Sequence, residues 1–247
     1  MADYDNRIIR GQAETQAGVI DAGLRAYMLR VYNYMLVGMG LTGATAWMTA
    51  NTSLRDLFFV YVPQAHGYGL TTLGMIAIFA PLGLVLLLSY RINRMSVAAA
   101  QSMFWVYAGL MGISIASILL NFTGESVARV FFITAATFGA MSLYGYTTKR
   151  DLTGFGSFLF MGLIGIIIAS VVNFWVQSSM LMFVVSVAGV LIFVGLTAYD
   201  TQKIKDMYVA NDDGTLAGKK AVMGALRLYL DFVNLFLMLI QLFGSRR

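Results

Sequence analysis

Cysteine is absent from this 247-residue chain, histidine occurs once and proline twice. The first absence excludes disulfides, thiolate metal sites and a cysteine nucleophile, and it removes any redox clue to compartment. A single histidine cannot build a His-rich zinc site. His66 lies between Pro63 and Gly67 and reads as a solvated loop residue. Charge is also scarce, at 12% of residues, about half the ~25% usual in soluble domains. No basic patch is interleaved with stacking aromatics, so nucleic acid is excluded as a partner. The formal charge of +5 and the pI of about 9.5 instead record lysines and arginines that set topology and touch anionic lipid.

Hydrophobic side chains are abundant, at 59% of the chain, with a mean hydropathy of +0.74. Continuous apolar runs of about 20 residues recur, each long enough to cross a ~30 Å hydrocarbon layer as a helix. A β-barrel requires alternation instead. The fold class expected is an all-α membrane protein, a seven-transmembrane helix bundle. A polar tail, 1–26, precedes a bundle domain, 27–243, and a short tail, 244–247, follows it. The tail's long charged stretch and lack of a cleavage site distinguish it from a signal peptide. The spans are placed at 27–50, 70–90, 97–120, 126–147, 155–177, 179–200 and 221–243. Pro81 falls inside the second and is expected to kink it or break its hydrogen bonding locally.

Basic residues set the orientation. Arg7, Arg10, Arg25 and Arg30 precede or begin span one; Arg91 and Arg94 follow span two; Lys149 and Arg150 follow span four. Lys203, Lys205, Lys219 and Lys220 follow span six, whereas the opposite loops hold only Arg55, with Arg129 just inside span four. The positive-inside rule puts the N-terminus and the basic loops in the cytoplasm of a bacterium, with the bundle in its inner membrane. Seven spans then carry Arg246 and Arg247 to the outside, against the rule. A re-entrant last span would return both termini to the cytoplasm.

Gly38, Gly40, Gly43, Gly162 and Gly165 read as packing residues that let helices approach. Asn121, Asn173 and Gln241 read as helix-end or packing residues. The tetrad Asn211–Gly214 resembles part of a calcium loop, but the later ligands and the terminal glutamate are missing, so a turn is expected.

The strongest functional clue is a pair of acids. Asp200 closes the apolar run 180–198, and Asp231 lies inside the run 226–243. A carboxylate at membrane depth costs about 3 kcal/mol or more on insertion scales, so such residues aim at each other, at a cation or at a water-filled cavity. Should span six continue a turn or two past Asp200, the two acids come level and can share one proton, titrating as a unit. The charged pair would attract a cation. Arg94, which begins span three from the same side, and Arg91, one turn earlier, are candidate partners that would lock the cytoplasmic mouth while the acids are ionised. Arg227 is a rival, four residues before Asp231 and on its helix face, able to neutralise it locally. Asn234 follows one turn further on that face.

The segments Ala198–Lys205 (AYDTQKIK) and Leu228–Ile240 (LYLDFVNLFLMLI), with the run SMFWVYAGLMGIS in span three, resemble the Bax inhibitor-1 family, also called the transmembrane Bax inhibitor motif family, and in particular its bacterial YccA-like branch. The resemblance extends over all the spans. It implies a central last helix wrapped by the others and a pH-sensitive calcium leak, in which a di-aspartate sensor controls a cytoplasmic gate. The sensor acids fall on Asp200 and Asp231, which would also hold passing calcium. The alternating arginine falls on Arg94, judged by its distance before Gly112 and Ile113. The loop between the acids is longer than the family pattern, and Arg227 departs from it. YccA-like members are further associated with FtsH, a membrane-bound AAA protease, as substrate or modulator. No cofactor and no enzyme activity are expected, and calcium enters only as the transported ion.

Three other functions compete. An intramembrane aspartyl protease also pairs a Tyr-Asp with a second aspartate, but the GxGD sequence and a downstream proline motif are missing around Asp231. A retinal receptor needs a Schiff-base lysine that the last span lacks. A non-transporting regulator that binds a membrane protease would use the acids for stability alone.

Overall fold

The computed structural model describes residues 2–63 and 67–247, with side chains from residue 22 onward except at residue 93. His66, expected in a solvated loop, and the side chains of most of the polar tail lie outside the described residues. The helices are α1 (Ala2–Asn51), α2 (Arg55–Phe58), α3 (Thr72–Arg91), α4 (Val97–Asn121), α5 (Gly124–Thr147), α6 (Thr153–Val176), α7 (Ser179–Asp206) and α8 (Gly214–Phe243). Where a plain loop was expected after the first span, a short hairpin forms. Strands β1 (Phe59–Val62) and β2 (Gly67–Leu70) pair antiparallel, with Phe59 opposite Leu70 and Val62 opposite Gly67.

Helix starts follow from side chains written in the sequence. Thr71 accepts from Gly74 N, Ser96 from Ala99 N, Thr123 from Ser126 N, Ser178 from Leu181 N and Asp213 from Leu216 N. Each hydroxyl or carboxylate satisfies an amide that the helix leaves without a partner. The tetrad 211–214 is therefore a turn that starts α8, and Asp212 within it pairs with Lys220.

Helices α3 to α8 are long and apolar enough to cross a membrane, so the chain is an all-α, multi-pass membrane protein. The stretch 27–50, expected as the first span, is helical but falls short of that hydropathy. Asn33, Tyr32, Tyr34, Thr42, Thr45 and Thr49 dilute it. It packs along α4 and α8 all the same.

Helix α8 occupies the centre. Its most apolar stretch is 67% buried, against 22% in α3 and 17% in α6. Around it lie α1, α4, α5 and α7, while α3 rests on α4 and α6 rests on α7. One bonding cluster ties the centre together. Tyr229 of α8 lies with its hydroxyl 2.7 Å from Thr42 Oγ1 of α1, and Thr42 in turn reaches Ala108 O of α4 at 2.8 Å. With one hydroxyl hydrogen each, Tyr229 donates to Thr42 and Thr42 donates to a carbonyl. The Tyr229 ring meets Phe104 and Tyr107 edge-on, with centroids 5.8 and 5.6 Å away.

Close approach of α1 and α4 requires a residue without a Cβ. At Gly112 an added Cβ would run into Thr45 Oγ1 and the Thr42 carbonyl, whereas at Gly109 it would meet Thr45 Cγ2 at an ordinary 3.9 Å. The glycines read from sequence as packing residues divide. Gly38 abuts Phe104 and Gly162 abuts Ile192, but Gly40, Gly43 and Gly165 have open space beside them.

Pro81 does not interrupt α3, which runs through it from Thr72 to Arg91. Proline has no N–H, so the carbonyl four residues earlier, on Ala77, loses its helical donor. Ser114 of α4 supplies a replacement, its hydroxyl lying 2.7 Å from Ala77 O. Hydrocarbon offers no water for this purpose, so a neighbouring helix must.

Two stability outcomes follow from these contacts. Gly112→Ala is expected to cost more than about 2 kcal/mol, because backbone and not a flexible tip must move, while Gly109→Ala stays near neutral; thermal unfolding in detergent compares them. Ser114→Ala is expected to cost about 1 kcal/mol. In a Pro81→Ala background the cost should vanish, since residue 81 then donates to Ala77 itself. Equal cost in both backgrounds would refute the assignment.

Candidate functional site

Helix α7 continues past Asp200 to Asp206. Local chemistry supports this extension. Thr197 and Thr201 each donate back one turn, to Phe193 O and Thr197 O, both at 2.7 Å. Gln202 bridges out to the α5–α6 loop, accepting from Leu152 N and donating to Arg150 O at 2.9 Å each. Lys203 and Lys205 sit in the last turn, where the helix dipole favours positive charge. On the α6 side of that loop, the Thr153 side chain first, and then its backbone N–H donating to Asp151 at 2.8 Å, hold the Asp151 carboxyl below the usual carboxylate range.

The extension brings Asp200 level with Asp231. Asp200 and Asp231 line the same cavity, close enough for each charge to be felt by the other. Asp231 is only 5% exposed, and its Oδ2 is buried without a hydrogen-bond partner. Arg227 reaches across from α8 to α7, its Nη1 3.6 Å from Asp200 Oδ1. The sequence suggested a partnership between Arg227 and Asp231 along one helix, but the guanidinium is aimed at the other acid. The pair is loose. Its distance is long, and the Arg227 side chain is 45% exposed against 15% for Asp200. An ion pair this open contributes about 1 kcal/mol or less, and it can be broken and remade.

These groups face a cavity of about 840 Å³ between α6, α7 and α8. On α8 its wall is formed by Arg227, Asp231, Asn234 and Met238, residues three to four apart and therefore on one face. Asn234 donates to Leu230 O at 2.9 Å, so its amide nitrogen is occupied within α8. On α6 the lining runs from Gly156 to Val171, fifteen residues or about 22 Å along the helix. Ser157 and Ser170 mark the two ends of that stripe. Sequence reasoning missed the α6 wall, although small and hydroxyl residues repeated on one helical face were a usable signal.

Arg94 and Arg91 do not line this cavity. Arg91 closes α3 and Arg94 closes the 3-10 turn Ile92–Arg94, both solvent-exposed and, among the described residues, without an ion pair. The reason is tertiary. Helix α3 leans on α4, whereas the acids look toward α6. The structure therefore brings together Asp200, Asp231, Arg227 and Asn234, and leaves the two arginines of the α3–α4 turn outside.

The profile of the family described as "Inhibitor of apoptosis-promoting Bax1" matches residues 24–247. The chain belongs to the Bax inhibitor-1 family. Its bacterial relatives are similar from end to end. It is 48% identical to the inner membrane protein YbhL of Escherichia coli K12, over 92% of this chain and 94% of that one. It is 49% identical to protein RP147 of Rickettsia prowazekii, over 92% of each. A membrane protein of Streptococcus pyogenes is 35% identical over 91% of this chain and 94% of its own length. Membership in this family accords with a bundle whose last helix is central, and it draws attention to the acids on α7 and α8.

The lack of native cysteine makes the cavity testable by labelling. In intact membranes, Ser157→Cys and Ser170→Cys are expected to react with a charged, water-soluble thiol reagent, because thiolate forms only where water enters. Phe158→Cys, on the exposed outer face of α6 and so against lipid, should not. Equal reactivity at all three positions would rule out a distinct wet cavity.

Proposed function

We propose that the protein is a pH-sensitive cation leak, with calcium as the passing ion, and that the di-aspartate on α7 and α8 is its sensor. The observation that carries this reading is that Asp200 and the buried Asp231 face one cavity, about 22 Å long on its α6 wall, in a membrane bundle. Two acids close together at low dielectric accommodate one negative charge more readily than two. Among the described residues no cluster of three or more acid or histidine side chains surrounds the pair. Two carboxylates and one amide oxygen suit brief passage of a hard cation more than storage, since tightly held calcium takes six to eight oxygens.

In this reading Arg227 is the latch. Its loose pair with Asp200 spans α7 and α8 on the side of the bundle that carries the basic loops. When both acids are ionised, Arg227 is held and occupies the cation's route with positive charge. Protonation of the pair weakens that hold and frees the route. The role that the family resemblance gives to Arg94 passes to Arg227. The C-terminal part of α1 makes the seventh crossing, which sets the N-terminus and the basic loops in the cytoplasm of a bacterial inner membrane. No catalytic step is assigned to the acids.

Calcium flux from proteoliposomes tests the proposal. Flux is expected to rise as pH falls from 8 to 6. Asp231→Asn should abolish the pH dependence. Arg227→Gln should raise flux at pH 8 several-fold, and Asp200→Asn should do likewise by releasing Arg227. Flux no greater than from empty vesicles would refute the leak and favour a regulator of a membrane protease. A pH response unchanged in Asp231→Asn would refute the sensor.

A further inference from the structure

The last residues of the chain are stapled to the turn between α4 and α5, at the end of the bundle away from the basic loops. Thr123 N donates to Ser245 O at 2.9 Å and Arg247 N to Asn121 O at 3.1 Å, with Phe122 and Arg246 bridged antiparallel. Ordering these residues costs roughly 1–2 kcal/mol each in backbone entropy. The result is that two arginines are fixed beside one cavity of about 390 Å³, with Tyr68, Asn121 and Gln241 on its other walls. Arg246 lies over the Phe122 ring, 5.9 Å from its centroid, which sets the plane of its guanidinium.

Charge at this site is unbalanced. Among the described residues neither Arg246 nor Arg247 has an ion pair. The nearby Arg55 already holds Asp56 at 3.0 Å and stacks on Tyr68. Glu125, the acid nearest in sequence, is solvent-exposed and pairs with neither arginine. Two cations here also run against the positive-inside rule. The walls come from the last turns of α4 and α8, which is headgroup depth in a bilayer.

We propose that this cavity binds a phosphate group, carried by an anionic phospholipid or present as free phosphate. Guanidinium forks match phosphate oxygens in geometry and charge. The amide of Gln241 and the hydroxyl of Tyr68 offer neutral donors beside them. The bound anion would offset the charge of the two guanidinium groups. This site shares no residue with the di-aspartate cavity and does not depend on the leak.

Calorimetric titration of the full chain, purified in a neutral detergent without phosphate, tests the assignment with three probes. These are dihexanoyl phosphatidylglycerol, inorganic phosphate, and dihexanoylglycerol, which lacks the phosphate. The expected result is that phosphatidylglycerol binds at least tenfold more tightly than dihexanoylglycerol, and that Arg246→Gln/Arg247→Gln weakens it tenfold or more. If inorganic phosphate binds and competes, the ligand is the free anion; if it does not, the ligand is the lipid headgroup. The unliganded melting temperature of the double variant is compared with wild type, and the dihexanoylglycerol comparison on wild type stands if the variant does not fold. Equal binding of the two lipids, binding unaffected by the substitutions, or no binding of either phosphate probe would overturn the proposal.

Discussion

Hydrocarbon leaves no polar atom a solvent partner, and almost every polar feature of this bundle answers to that constraint. The carbonyl orphaned by Pro81 is met by Ser114 from the next helix. Buried Thr134, Thr197 and Thr201 return their hydroxyl hydrogens to carbonyls one turn back. A chain of hydroxyls, Tyr32 to Ser142 at 2.6 Å and Ser142 to Thr201 at 2.9 Å, links α1, α5 and α7. Each contact adds little, about 1 kcal/mol, but together they leave few arrangements of the helices open.

Against that background Asp231 stands out. Among the described residues, its Oδ2 and the Tyr27 hydroxyl are the buried side-chain atoms left without a hydrogen-bond partner. Such exceptions are where a folded chain gives up stability for activity. Asp231 lines a cavity of about 840 Å³ whose α6 wall rests on α7 and is mostly exposed. Strain in charge, open space and a movable wall coincide, and this coincidence gives the proposed sensor its physical content.

Much of this was legible in the sequence. Spans two to five were placed within about two residues of their helices, and span six starts where α7 does; Thr71, Ser96, Thr123 and Ser178 mark starts that hydropathy alone blurs. Asn121 and Asn173 were read as helix-end residues, and they accept from Tyr68 N and Ser178 N. Hydropathy failed where helices outlast their apolar runs. The segments Thr201–Asp206 and Gly214–Lys220 are polar yet helical, so α7 and α8 extend further than their runs suggested. The sequence supplied both acids, but not the basic residue that faces Asp200. Spacing along one helix pointed Arg227 at Asp231, and only the packing of α7 on α8 redirects it. Whether α3 leans toward α7 or toward α4 decides the place of Arg94, and nothing local in α3 encodes that choice.

The central position of α8 has a consequence for biosynthesis. The element around which the others pack leaves the ribosome after all of them. About 190 residues separate the α1 and α8 partners Thr42 and Tyr229, so at ~5–20 residues per second the early helices wait roughly 10–40 s for their core. During that interval they stand in lipid with the α8-facing sides of α1 and α4 uncovered, the Thr42 hydroxyl among them, held by neighbours alone. Nascent chains truncated before α8 would present these polar faces to whatever surveys the bilayer for unfinished proteins.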